Sequence, residues 1–207
     1  MNHEDGLSRR QQKAMQTRLN LLHAGKVIFL KEGFQKATMT EINKQANTGY
    51  GTAYVYFKNK DELFGELMEN IVEKMYEVAS LPFEPKTSEE AFEQIKTQVR
   101  LFIQAALDEQ EMMKVLKEAI GVSEIVEGKW SQIRTRFIAG IIKDITFVQE
   151  AGMANKEIEA SLIARGWYYM NEQVMWDILL GEVAEDLNRV AENLALLYTR
   201  GLYVGNK

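Results

Sequence analysis

Thr38-Met39-Thr40-Glu41-Ile42-Asn43-Lys44-Gln45-Ala46-Asn47-Thr48-Gly49-Tyr50-Gly51-Thr52-Ala53-Tyr54-Val55-Tyr56-Phe57 decides how this chain is to be read. Thr38 with Glu41 three residues later has the form of a capping box and opens a short helix. Ile42 and Ala46 share its apolar face. Asn47 tolerates the positive φ that a tight exit requires. Gly49-Tyr50-Gly51 completes a turn, and Thr52 to Phe57 forms a second short helix with Ala53 and Phe57 inward. Two short helices about such a turn make a helix-turn-helix, whose second helix enters a DNA major groove.

Working outward, the pattern stays helical, with no long period-two alternation and no Asn-Gly hairpin signal. A first helix spans about 8–31, with Leu21, Gly25, Ile28 and Phe29 on one face and Gly33 as a left-handed cap. Asn59 to Glu62 repeats the capping form and opens a fourth helix, about 60–79, striped by Leu63, Leu67, Ile71 and Met75. Both prolines of the chain, Pro82 and Pro85, follow it. They place the domain junction there: 1–80 as a DNA-binding domain, 81–207 as a helical ligand-binding and dimerisation domain. Further helices are expected over about 88–107, 110–120, 122–151 with or without a break near Gly128, 155–180 and 184–204. The fold class is all-α, with about nine helices.

The 207 residues carry a formal charge of −5, which by itself argues against nucleic acid. The distribution reverses that. Residues 1–60 hold ten Lys/Arg against four acids, or +6, and the remainder is −11. A basic module is joined to an acidic body. There is no cysteine and there are only two histidines, so thiolate and multi-histidine metal sites are excluded. No apolar run approaches the ~20 residues of a membrane helix, and the first ten residues lack a signal-peptide pattern. A cytoplasmic protein without a membrane partner is expected.

Residues 20–64 resemble the DNA-binding region of the tetracycline-repressor (TetR) family. The matching letters are Leu21-Leu22, Ala24, Phe29, Gly33-Phe34, Thr38, Ile42, Ala46, Gly51-Thr52, Tyr54, Tyr56-Phe57, Lys60 and Glu62-Leu63-Phe64, in the family's spacing without a gap. At the turn, Ala46-Asn47-Thr48-Gly49 replaces the customary Ala-Gly-Val-Ser, and Asn43 replaces a customary alanine. The resemblance implies a homodimeric transcriptional regulator, usually a ligand-released repressor of a palindromic operator. It implies DNA contacts from Thr38, Gly49, Tyr50, Gly51, Thr52, Tyr54, Tyr56 and Lys60. Thr52, Tyr54, Tyr56 and Lys60 match backbone-contacting positions, and Gly49, Tyr50 and Thr52 match positions near base edges or the turn. Arg9, Arg10 and Lys13 can reach an adjacent groove or stay solvated.

The acidic body has an apolar excess to bury. Residues 158–180 leave little polar face, so that helix is covered on more than one side. Ile178, with Leu187, Val190, Leu194, Leu197 and Tyr198 of the last helix, is the candidate dimer interface, which the resemblance also implies. Phe102, Met112, Met113, Leu116, Trp130, Phe137, Trp167, Met170, Asn171 and Trp176 line a candidate pocket for a small apolar or amphipathic effector. Asn171 is notable as an amide within an apolar helix.

Two other function classes compete with a regulator. An enzyme needs a nucleophile with a base, a metal cluster or a phosphate loop. His23 has no triad partners, and Gly49-Tyr50-Gly51 lacks the Gly-Lys-Ser/Thr of a phosphate loop. No catalytic residue, cofactor or metal is expected. A helical adaptor whose basic module no longer binds DNA is the alternative, and a gel shift against rising salt separates the two.

Overall fold

The computed structural model describes residues 8–49, 51–183 and 186–202. Among them nine helices occur and no strand: α1 (Arg9–Lys36), α2 (Met39–Gln45), α3 (Thr52–Tyr56), α4 (Lys60–Ala79), α5 (Ser88–Asp108), α6 (Gln110–Ile120), α7 (Glu124–Glu150), α8 (Ala160–Leu179) and α9 (Leu187–Leu202). The chain divides into two compact units, Met1–Glu69 with Val115–Gly128, and Asn70–Lys114 with Lys129–Lys207. By compactness, then, the boundary falls within α4, ahead of the two prolines, and a segment distant in sequence joins the N-terminal unit.

Helix starts follow local chemistry. Ser8 and Thr38 both form complete capping boxes, with Gln11 and Glu41. Asn59 Oδ1 accepts from the Glu62 amide, and Thr87 Oγ1 from the Glu90 amide. The left-handed residues fall where the turns require them: Gly33 at φ 76° and Asn47 at φ 50°. Helix α1 resumes for one turn beyond Gly33, to Lys36, so it runs further than the sequence pattern suggests.

One open alternative is decided and one expectation is corrected. No break occurs at Gly128, and α7 is continuous. A mid-helix glycine costs only ~1 kcal/mol, and buried Val126 and Trp130 on either side hold the helix. Helix α8 begins at Ala160 rather than near residue 155. Ahead of it, Asn155 Oδ1 accepts from the Glu157 amide, a local turn that competes with helix. The Gln149 side-chain amide donates to the carbonyls of Asn155 and Ile158, which holds those carbonyls away from a helical ladder.

The N-terminal unit is built on an aromatic cluster. Phe29, Phe34 and Phe64 meet with ring centroids 4.8–5.8 Å apart. Leu21, Ile42, Ala53, Phe57 and Leu63 complete a core that packs α1, α2, α3 and the start of α4. In the larger unit, α5 lies along α9 and against α8. Phe137 is central there, with Tyr76, Phe102 and Tyr168 at 4.7, 5.6 and 5.8 Å.

Among the described residues of that unit, one charged side chain is buried. Glu172 is 5% exposed. Its carboxylate accepts from the Trp130 indole at 2.6 Å and from Arg134 Nε at 3.0 and 3.1 Å. Removing one partner of such a set strands the others. Glu172→Ala is therefore expected to lose about 3 kcal/mol. Urea unfolding followed by tryptophan fluorescence checks this, and an unchanged midpoint contradicts it.

Candidate nucleic-acid interface and ligand cavity

Helix α3 has five residues, too few to hold itself by its own hydrogen bonds. Tertiary contacts hold it. Ala53 and Phe57, four apart, are buried on its inner face. Its N-terminus has no capping side chain of its own, because Gly51, at φ 81°, occupies that place. The cap comes from α2. Asn43 is 5% exposed, and its Oδ1 accepts from the Ala53 amide at 2.9 Å and from Thr48 Oγ1 at 3.0 Å. The Thr48 amide donates in turn to the Asn43 carbonyl. One amide side chain thus ties together α2, the turn and α3, and supplies the cap that Gly51 cannot.

The outer face of α3 is open. Tyr54 is 57% exposed and Val55 is 79% exposed. Thr52, Tyr56 and Gly51 are half-buried, and Gly49, Lys44 and Lys58 are exposed. Tyr50 lies outside the described residues. Thr38 is exposed, but its hydroxyl donates to Glu41 and accepts from the Glu41 amide, so it is engaged in starting α2. Val55 and the capping role of Asn43 are what sequence reasoning passes over. A valine beside Tyr54 and two residues from inward Ala53 on a short helix is the signal for the first.

Lys60 is placed differently from the expectation of a phosphate contact. Its Nζ donates to the carbonyls of Phe34, Gln35 and Ala37, at 2.7, 2.8 and 3.1 Å. All three ammonium protons are engaged at the end of α1, and the charge lies 4.9 Å from the centre of the Phe34 ring. On the other side of this segment, the amides of Phe34 and Gln35 donate to the Glu118 carboxylate, both at 3.0 Å. Ser123 Oγ donates to Asp61 at 2.5 Å. These two contacts explain why Val115–Gly128 belongs to the N-terminal unit.

The larger unit holds a cavity of about 470 Å³, within the ordinary range for small-molecule sites. Of the candidate lining residues, Phe102, Phe137, Trp167 and Asn171 are on its wall, joined by Tyr76, Tyr168, Arg136, Lys143 and Asp144. Met112, Met113, Trp130 and Trp176 are buried core instead, and Leu116 is core of the other unit. Met170 is half-buried and off the cavity wall. Helical spacing alone does not separate these groups, because a packed stripe and a lined stripe have the same period.

The candidate dimer residues also divide. Val190 and Leu194 are 8% and 9% exposed, buried within this chain where α9 meets α5. Leu197 is 64% exposed, while Ile178, Leu187 and Tyr198 are half-buried. Tyr198 stacks on Trp167 at 4.2 Å and couples α9 to α8. The outer apolar surface of this pair is completed by Leu162 and Tyr169, both exposed.

Burial pushes the Asp144 carboxyl on the cavity wall up to about 6, against the lowering field of Lys143. The folded chain then keeps a proton that the unfolded chain, near 3.8, has already lost. Stability contributed by this group therefore falls as pH rises from about 4 to about 6, and the penalty is complete above that. Asp144→Asn is expected to stabilise the chain by about 1 kcal/mol at pH 7, after discounting for solvent screening, and by nothing near pH 4. Unfolding midpoints across that window test it; a pH-independent difference contradicts it.

Two sequence families match this chain. The description "Bacterial regulatory proteins, tetR family" covers residues 21–67, the helix-turn-helix and its surroundings. "Transcriptional regulator EthR, C-terminal domain" covers residues 95–204, more than half of the chain. The chain belongs to the TetR family of bacterial transcriptional regulators. Among curated relatives, the uncharacterised helix-turn-helix-type transcriptional regulator YhgD of Bacillus subtilis is 38% identical over 65 residues, 31% of this chain and 34% of that protein. The chain spans about a third to two fifths of the length of the curated relatives it matches. A solved structure assigned to TetR regulators, from Syntrophomonas wolfei, superposes with a TM-score of 0.75 at 18% identity, over 93% of this chain and 100% of that one. The fatty acid degradation regulator FadR of Bacillus halodurans gives 0.69 at 17% identity, over 89% and 95%. At these identities the TetR fold is what is shared.

Proposed function

We propose that this regulator binds an operator in double-stranded DNA through α3 and represses transcription until a small apolar or amphipathic effector enters the cavity. The observation that carries the reading is the open outer face of α3, Tyr54 and Val55, on a helix pinned by Asn43. Tyrosine hydroxyls suit phosphate oxygens, and the Val55 methyls suit the methyl group of thymine. Exposed Lys44 and Lys58 add the cationic share of the contact. Thr52 and Tyr56 stand beside them, and Gly49 and Gly51 let backbone approach closely.

In this reading two copies pair through the outer faces of α8 and α9, around Leu197, Leu162 and Tyr169. The pairing sets two α3 helices about 34–36 Å apart, or a multiple of this, as half-sites of a palindrome require. An effector releases the DNA only if it binds one dimer state more tightly than the other. The reading includes no catalysis and no cofactor, and it places the chain in the cytoplasm with its DNA.

The test is selection of binding sites from random duplex DNA, followed by gel shifts of the selected site across salt. A palindromic consensus whose binding falls steeply with salt supports the reading. No enrichment at low salt overturns it.

A further inference from the structure

Two residues on the wall of the larger unit's cavity each hold a buried polar atom with no hydrogen-bond partner among the described residues: the Tyr168 hydroxyl and Asn171 Oδ1. Both residues are more than nine-tenths buried, at 3% and 7% exposure, and both lie on the cavity wall. They sit three apart on α8, hence on one helix face. Buried polar groups are nearly always paired, so a pair of orphans on one wall of one cavity marks a place for a polar ligand group.

The chemistry of the pair restricts that group. Asn171 Nδ2 donates to the Trp167 carbonyl at 2.7 Å, which fixes the amide's orientation. A flipped amide would set two oxygens against each other. Oδ1 is therefore the atom left over, and it can only accept. Tyr168 is held as the neutral phenol, because burial and the nearby Glu172 carboxylate both raise its pKa. Its hydroxyl is available to donate. The surrounding wall has an aromatic part, Tyr76, Phe102, Phe137 and Trp167, and a charged part, Arg136, Lys143 and Asp144.

We infer that the effector carries an uncharged group that both donates and accepts hydrogen bonds, a primary amide or an alcohol, on an apolar body. The group donates to Asn171 Oδ1 and accepts from the Tyr168 hydroxyl, while the body stacks on the aromatic wall. An ionised carboxylate has no proton for Asn171 and would face its carbonyl oxygen with a full negative charge. Long-chain carboxylates are thus disfavoured at this pair. The inference rests on the proposed reading of the cavity as the effector site.

The experiment uses the full chain and four probes that share one skeleton: phenylbutanamide, phenylbutanol, phenylbutanoate and butylbenzene. Affinities come from calorimetry or competition for a fluorescent apolar dye. The amide and the alcohol are expected to bind about tenfold more tightly than the hydrocarbon or the carboxylate. In the Tyr168→Phe, Asn171→Leu double variant that preference should vanish while butylbenzene still binds, which shows that the cavity has survived. Tightest binding by phenylbutanoate, with Arg136 or Lys143 holding its head, overturns the inference alone. So does a preference unchanged in the double variant. Failure of all four probes to bind overturns the effector-site reading, and the inference with it.

Discussion

Replacing Asn43 by alanine is expected to weaken binding to the selected operator by at least about tenfold, although Asn43 is itself buried. The loss works through α3. In the Asn43→Ala variant, the Ala53 amide loses its acceptor, and Thr48 Oγ1 keeps only the longer bond to the Asn43 carbonyl, at 3.3 Å. An unpaired buried donor costs about 1–3 kcal/mol. A five-residue helix has no reserve of its own to absorb that. The penalty falls on the folded turn, so the population with α3 correctly set falls, and apparent affinity falls in proportion. Amide hydrogen exchange supplies an independent readout: Ala53 should exchange much faster in the variant, while Phe29 and Phe64 in the same core keep their protection. Intact protection at Ala53 with weakened binding would mean that Asn43 acts in some other way.

The contrast between Asn43 and its neighbours shows what is legible in the residues. Capping boxes, the positive-φ Asn47 and the inward pair Ala53 and Phe57 are local facts, spaced by three or four residues. They define the helix-turn-helix with its boundaries nearly in place. Asn43 stands out only as an unusual residue, because its partner at Ala53 lies ten residues away, across a turn whose geometry no local pattern specifies. Glu118 is wholly illegible. Its carboxylate reaches amides 83 and 84 residues distant, and no periodicity encodes such a meeting. The same limit governs the cavity. Phe102, Phe137 and Trp167 have the composition of a pocket wall, but so do Trp130 and Trp176, which are core. Only the packing of α5, α7 and α8 assigns each aromatic to one side or the other.

Lys60 is the sharpest case, because local pattern and tertiary position assign it opposite roles. Its letter matches a phosphate-contacting lysine; its Nζ donates to three carbonyls at the end of α1. These roles predict different measurements for Lys60→Met, which keeps most of the aliphatic stem. If Lys60 binds phosphate, the substitution lowers the slope of log affinity against log salt by about 0.9 and leaves stability alone. If Lys60 clamps carbonyls, the slope stays unchanged and the chain loses about 2 kcal/mol, since water replaces the ammonium only in part at a half-buried site. The structure favours the second outcome. The cation that holds carbonyls 34, 35 and 37 cannot reach outward without releasing them, and the Phe34 ring would lose its partner as well. Exposed Lys58 gives the matched comparison, since Lys58→Met should lower the salt slope with stability intact. A Lys60→Met protein that unfolds at the parent's urea midpoint, with a reduced slope, would return Lys60 to the DNA.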